Sequence, residues 1–92
     1  MEVGIIGLGK MGYNLALNLV KNHHRVVAYD VNNKVLGNIA HEDVIPAYTI
    51  KDLIGKLSGK KIVWLMVPSG EATEKVIDEV AIYLNPQDIV ID

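Results

Sequence analysis

Val3-Gly4-Ile5-Ile6-Gly7-Leu8-Gly9-Lys10-Met11-Gly12-Tyr13-Asn14-Leu15-Ala16 is the stretch that decides the fold. Its first four residues are a short apolar run, the size of a buried strand. From Met11 to Lys21 apolar residues (Met11, Leu15, Leu19 and Val20) recur at roughly helical intervals, predicting a helix. Between strand and helix lie Gly7, Gly9 and Gly12 in the spacing G-x-G-x-x-G. That spacing is weak evidence alone and much stronger between a strand and a helix. Gly7 permits the tight turn, Gly9 removes the side chain where backbone N–H groups must come close to a ligand, and Gly12 lets the helix pack near the sheet. The helix N-terminus offers unpaired N–H donors and partial positive charge, which suits a pyrophosphate.

Outward from the turn, strand-like and helix-like segments alternate. Arg25–Tyr29 is a predicted strand, Asn32–His41 a short helix with Val35, Leu36 and Ile39 on one face, and Val44-Ile45 a weak strand cut short by Pro46 and therefore near an edge. Thr49–Ser58 is a predicted helix with Ile50, Leu53, Ile54 and Leu57 inward, Thr49 and Asp52 as its capping box and Gly59 as terminator. Ile62–Val67 is the longest apolar run, as expected of a strand covered on both faces. Ser69 caps a predicted helix to Leu84 with Ala72, Val76, Ile77, Val80 and Leu84 inward, and Asp88–Asp92 opens a fifth strand. Alternation of this kind predicts an α/β fold: a doubly wound, mostly parallel sheet of Rossmann type, helices on both faces, with right-handed crossovers. Residues 1–92 form one cofactor-binding domain in this reading, and a chain ending on an uncovered apolar strand is expected to continue past Asp92.

Asp30 ends the second strand, 18 residues after Gly12. A carboxylate there can accept hydrogen bonds from adenosine ribose hydroxyls and would repel a 2′-phosphate. With Val31 next to it instead of a basic residue, NAD is favoured over NADP, although Lys34, one turn on, is within reach of a phosphate. Asp30 can also cap the helix beginning near Asn32. Met66-Val67-Pro68 ends the fourth strand, where a doubly wound sheet places its ligand. The candidate cofactor-binding residues are therefore Gly7, Leu8, Gly9, Lys10, Met11, Gly12, Asp30, Val31, Met66, Val67 and Pro68.

Composition narrows the rest. The 92 residues are 50% apolar and 22% charged with net charge −2 and no basic block, which argues against nucleic acid or an anionic membrane as partner. There is no cysteine, so disulfides, thiol nucleophiles and Cys-based zinc sites are excluded. No apolar run reaches a membrane span and the N-terminus lacks a signal peptide's basic start, so a soluble, cytoplasmic protein is expected. His23, His24 and His41 read as exposed turn residues and no metal site is expected. Asn14 and Asn18 can pair along one helix face, Glu71 and Lys75 on another, and Trp64 belongs to the core.

Ile5–Leu19, with Gly-Leu-Gly-x-Met-Gly followed by Asn-Leu, resembles the 6-phosphogluconate dehydrogenase family within the β-hydroxyacid dehydrogenases. The resemblance continues through Ala28-Tyr29-Asp30, Val63–Gly70 and Asp88–Asp92. It implies hydride transfer from a β-hydroxyacid to a nicotinamide cofactor and, for a sugar-acid phosphate substrate, decarboxylation. NADP-type members carry Asn-Arg-Thr where this chain has Asp30-Val31-Asn32, so it resembles the shorter NAD-preferring subgroup. The family's Gly-Gly-Asn-Ser segment and catalytic Lys and Asn would lie beyond residue 92, so these residues by themselves are expected to be inactive, no residue here takes the general-base role, and Lys10 and Lys21 are not candidates for it. The resemblance implies a homo-oligomer built through a helical domain. Alternatives are a 3-hydroxyisobutyrate dehydrogenase, a non-catalytic nucleotide-sensing module of a regulator or channel and, less well matched in glycine spacing, a methyltransferase.

Overall fold

A computed structural model describes residues 2–67 and 71–91, with side chains in the last stretch from residue 74 onward. Pro68, Ser69, Gly70 and Asp92, and the side chains of Glu71 and Ala72, therefore lie outside the described residues, and with them the Ser69 cap and the Glu71–Lys75 pair. The strands are β1 (Glu2–Ile6), β2 (Arg25–Tyr29), β3 (Ile45–Ala47), β4 (Ile62–Leu65) and β5 (Ile89–Ile91). The helices are α1 (Lys10–Lys21), α2 (Asn33–Ile39), α3 (Ile50–Gly55) and α4 (Glu71–Tyr83), with a 3-10 turn at Ala40–Glu42. All strand pairs are parallel, in the order β3-β2-β1-β4-β5. The chain thus runs from β1 outward to β3, then returns past β1 to β4, and the switch point lies between β1 and β4. This is the expected doubly wound sheet.

Strand alternation sends side chains to two cores. Val3 and Ile5 of β1 with Val26 and Ala28 of β2 pack beneath α1 and α2, against Ala16, Leu36 and Ile39. Ile6, Val27, Val63 and Leu65 pack on the other face with Ile50, Leu53, Ile54 and Leu57 of the α3 region and Val80 of α4. Gly4 faces α3 closely: a methyl group there would come within 2.8 Å of the Leu53 side chain.

Several boundaries differ from the sequence reading. Pro46 lies inside β3 rather than ending it, paired in register with Ala28. It is tolerated because β3 is the sheet edge, where one side of the strand needs no N–H donor. β4 stops at Leu65, so Met66 and Val67 belong to the turn beyond it. α3 ends at Gly55 with Lys56 as C-cap, and Gly59 instead takes a left-handed conformation (φ 66°) in the following loop. Thr49 caps α3 through the Asp52 N–H as expected, but the Asp52 carboxylate accepts from the Tyr48 N–H, one residue before the cap. Ile77 of α4 is 38% exposed rather than inward, while Val80 is buried. Asn18 pairs with Asn22, not Asn14. Trp64 packs partly buried against the α1–α2 core. His23 is exposed in the turn after α1, with φ 68°.

The N-terminal ends of the strands are tied by carboxylates. Glu2 accepts from the Ser58 hydroxyl, the Ser58 N–H and the Arg25 guanidinium, while Arg25 also donates to the Lys56 carbonyl. The Ser58 hydroxyl foremost, with its N–H and Arg25, holds the Glu2 carboxyl below its ordinary range. Asp88 is likewise lowered by the N–H groups of Lys61 and Asn85, and Asp52 by the Tyr48 N–H and Lys56. Each of these groups binds its proton more weakly folded than unfolded, so each contributes stability above the ordinary carboxylate range that is lost as pH falls through and below it. Denaturant midpoints are accordingly expected to hold steady near neutrality and to fall below about pH 4. In Glu2→Gln the neutral-pH midpoint drops while the decline toward acid becomes shallower; an unchanged acid slope would show that Glu2 does not contribute.

Candidate functional site

At the C-terminal ends of β1 and β4, where the sheet reverses direction, a cleft of about 500 Å³ opens. It is lined by Ile6, Gly7 and Gly9 of the turn after β1, by Tyr29, Asp30 and Val31 at the end of β2, by Met66 and Val67 after β4, and by Val76 of α4. Six of the residues expected from sequence thus meet in one place, on three separate turns.

The turn after β1 is fixed rung by rung. The Met66 N–H donates to the Ile6 carbonyl (2.7 Å) and the Gly7 N–H to the Tyr29 carbonyl (2.9 Å), extending the ladders on both sides. Gly7 has φ 101°, a conformation that favours glycine, and a methyl there would lie 2.6 Å from the Met66 carbonyl oxygen. Gly12 is buried under the turn, and a methyl on it would overlap the Gly7 carbonyl oxygen. Gly9 differs: it has ordinary backbone angles, and among the described residues nothing beyond its chain neighbours lies within 4 Å of where its side chain would be. Packing among the described residues therefore explains Gly7 and Gly12 but not Gly9.

Gly9 is also the N-cap of α1, and no side chain caps that helix and no acid occupies its first turn. By contrast Asn32 caps α2 by accepting from the N–H groups of Lys34 and Val35, and Thr49 caps α3. α1 starts at the cleft-lining Gly9, and the first-turn N–H groups of a helix carry partial positive charge, the arrangement that receives an anionic group. Lys10 and Met11 stand exposed on this turn, Met11 at 75%. Met11 is exposed despite its helical spacing with Leu15, and the buried residues of α1 are Gly12 and Ala16.

Leu8 points its side chain into the core under α1, and its N–H donates to Asp30 Oδ2 (2.6 Å). What Leu8 offers a ligand is the shape of the turn, not a free donor. Asp30 Oδ1 accepts from the Asn32 N–H (2.8 Å). Capping of α2 falls to Asn32, so the capping role considered for Asp30 belongs to its neighbour. Val31 is 86% exposed beside the carboxylate. Pro68 is outside the described residues. The lining residues missed in the sequence are Ile6, Tyr29 and Val76; periodicity marked Val76 as inward, but not which inward position of α4 reaches the cleft.

A parallel sheet with its switch point at a glycine turn, an uncapped helix N-terminus and an acid closing the second strand define the class of dinucleotide-binding α/β domains. Within that class the chain belongs to the family described as the NAD binding domain of 6-phosphogluconate dehydrogenase, whose model matches residues 2–92. It is 35% identical over 92 residues, its whole length, to an NAD(+)-dependent, decarboxylating 6-phosphogluconate dehydrogenase of Haloferax volcanii. It is 38% identical over 96 residues, 99% of the chain, to a decarboxylating 6-phosphogluconate dehydrogenase of Haemophilus ducreyi. The chain spans 31% and 20% of the lengths of those two proteins. The fold is shared with Mycobacterium tuberculosis 3-hydroxyisobutyrate dehydrogenase (TM-score 0.88, 24% identity, 99% of this chain and 30% of that one). It is shared too with an imine reductase from Bacillus cereus (TM-score 0.81, 17% identity, 97% of this chain and 30% of that one). Among the described residues no helix is long and apolar enough to cross a membrane.

The three glycines are expected to separate on mutation. Gly12→Ala forces backbone apart and should cost about 2 kcal/mol or more. Gly9→Ala meets no side chain or backbone among the described residues beyond its chain neighbours and should stay within about 1 kcal/mol of the parent in chemical denaturation. Equal losses at both positions would mean that Gly9 is constrained by the fold and not by a ligand.

Proposed function

We propose that this chain binds NAD in the cleft, as the cofactor-binding part of an NAD-dependent, decarboxylating dehydrogenase acting on 6-phosphogluconate or a closely similar sugar-acid phosphate. In this reading residues 1–92 are the dinucleotide domain, and the substrate-binding part lies in sequence not included among them. The observation that carries the cofactor choice is Asp30: a carboxylate at the end of β2, fixed by two backbone N–H groups, beside an exposed Val31 rather than a cation. The name of the Haloferax volcanii relative, NAD(+)-dependent, agrees with it.

The roles follow from position. The pyrophosphate would be received by the first-turn N–H groups of α1 at Gly9, Lys10 and Met11, with the exposed Lys10 adding positive charge. Asp30 would take the adenosine ribose hydroxyls on the lone pairs its backbone partners leave free, and its charge would oppose a 2′-phosphate. Val31 on one side, with Met66 and Val67 on the other, would give the bases an apolar slot. Gly7, which lines the cleft, and the buried Gly12 beneath it shape the turn. When bound, the nicotinamide supplies hydride acceptance; these residues hold the cofactor, orient it and shield part of it from water. No general base is assigned to them, and homo-oligomerisation, like the cytoplasmic location, is proposed for the whole protein only.

Calorimetric titration with NAD⁺ and NADP⁺ tests this. NAD⁺ should bind about tenfold or more tightly than NADP⁺, and Asp30→Ala should weaken NAD⁺ binding by about tenfold and erase the preference, the scale of a charged hydrogen bond. Gly9→Ala should fold normally and bind neither. Preference for NADP⁺, or NAD⁺ binding indifferent to Asp30, would contradict the assignment.

A further inference from the structure

The hydrogen bonds that leave β1 form a series. Ile6 takes part through its carbonyl with Met66, and Gly7 through its N–H with the carbonyl of Tyr29. At the next residue main chain no longer meets main chain: the Leu8 N–H is received by the Asp30 carboxylate. The last rung on the β2 side is therefore a side chain. Leu8 itself is 5% exposed, so its N–H sits where an unpaired donor is costly. The same carboxylate holds the Asn32 N–H through its other oxygen, and the Asn32 side chain caps α2. One side chain thus joins the two turns that form adjoining lips of the cleft.

The geometry points to Asp30 as a positioning residue for the phosphate site, acting through the Leu8 N–H to hold the glycine turn, and with it the α1 N-terminus, in its receiving shape. This role is separate from any ribose contact and rests on the dinucleotide reading above. The two roles predict opposite results with a nucleotide that has no ribose hydroxyls. If Asp30 only reads the ribose, its removal takes a negative charge away from a diphosphate, and binding stays equal or tightens. If it positions the turn, binding weakens although no ribose contact existed to lose.

The test uses 2′,3′-dideoxyadenosine 5′-diphosphate as probe, with ADP and NAD⁺ alongside, at a temperature well below the melting transition of each variant. Asp30→Ala is expected to weaken dideoxy-ADP binding by about fivefold or more, given the strength of hydrogen bonds to charged groups. Asp30→Asn, which keeps one acceptor oxygen, is expected to restore part of that loss while still losing affinity for NAD⁺. Dideoxy-ADP binding that is unchanged or tighter in folded Asp30→Ala overturns the proposal. A measurement on the unaltered protein guards against a variant that does not fold: NMR should detect coupling across the hydrogen bond between the Leu8 nitrogen and the Asp30 carboxylate carbon, without added nucleotide. It should also show slower amide exchange at Leu8 than at Lys10 and Met11. No coupling, with Leu8 exchanging as fast as Met11, likewise overturns it. If the coupling is present but the protein binds neither NAD⁺ nor ADP, it is the dinucleotide reading that fails, and the Asp30–Leu8 bond is then no more than a structural tie.

Discussion

The glycine turn depends on a backbone contact that leaves no room for a side chain. The carbonyl oxygen of Gly7 lies where a methyl group on Gly12 would have to be, and the Met66 carbonyl lies where one on Gly7 would be. This contact seats the first turn of α1 directly against the ends of β1 and β4. Moving the helix outward by the width of a methyl group would open the turn and carry the helix N-terminus off the switch point of the sheet. Backbone packing at the Gly7–Gly12 contact thus sets where the positive end of α1 stands, and the cleft is defined by that position.

The two ends of the sheet have been given different electrostatic treatment. At the N-terminal ends of the strands, carboxylates are matched to donors: Glu2 to Ser58 and Arg25, Asp88 to the Lys61 and Asn85 N–H groups. Those contacts join segments distant in sequence and answer to acid, but they leave little unpaired. At the C-terminal ends Asn32 caps α2, Thr49 caps α3 and Asp52 is matched to the Tyr48 N–H, whereas the α1 N-terminus has no side-chain cap and no first-turn acid. Asp30 is matched to backbone through both oxygens, and each oxygen keeps acceptor capacity. Among the described residues the start of α1 is the helix N-terminus left without a side-chain cap, and it is the one the proposed dinucleotide would use.

Much of this was legible in the sequence. The glycine spacing between a strand and a helix gave the sheet class and the location of the cleft, and Asp30 could be placed because β2 ends where its apolar run ends. Three things were not legible, each because it depends on tertiary position. Met11 has helical spacing with Leu15 and Leu19 yet is exposed, and the buried residues of α1 are Gly12 and Ala16. Pro46 reads as a strand breaker but sits within β3, because an edge strand needs its N–H groups on one side only. The bond from Leu8 to Asp30 crosses 22 residues and follows from the register of β1 on β2, which no local pattern encodes.

The central claim is that the dinucleotide lies at the C-terminal ends of β1, β2 and β4, and chemical-shift mapping of the isotope-labelled protein during NAD⁺ titration tests it most directly. A second hollow, lined by Glu2, Ser58, Lys60, Ile62 and Ile89 at the opposite end of the strands, serves as the internal control. The account predicts saturable shifts at the amides of Gly9, Lys10, Met11, Asp30, Val31 and Val67, with those of Glu2, Ser58 and Lys60 unmoved. Shifts centred on Glu2, Ser58 and Lys60, or spread without saturation over the surface, would contradict it.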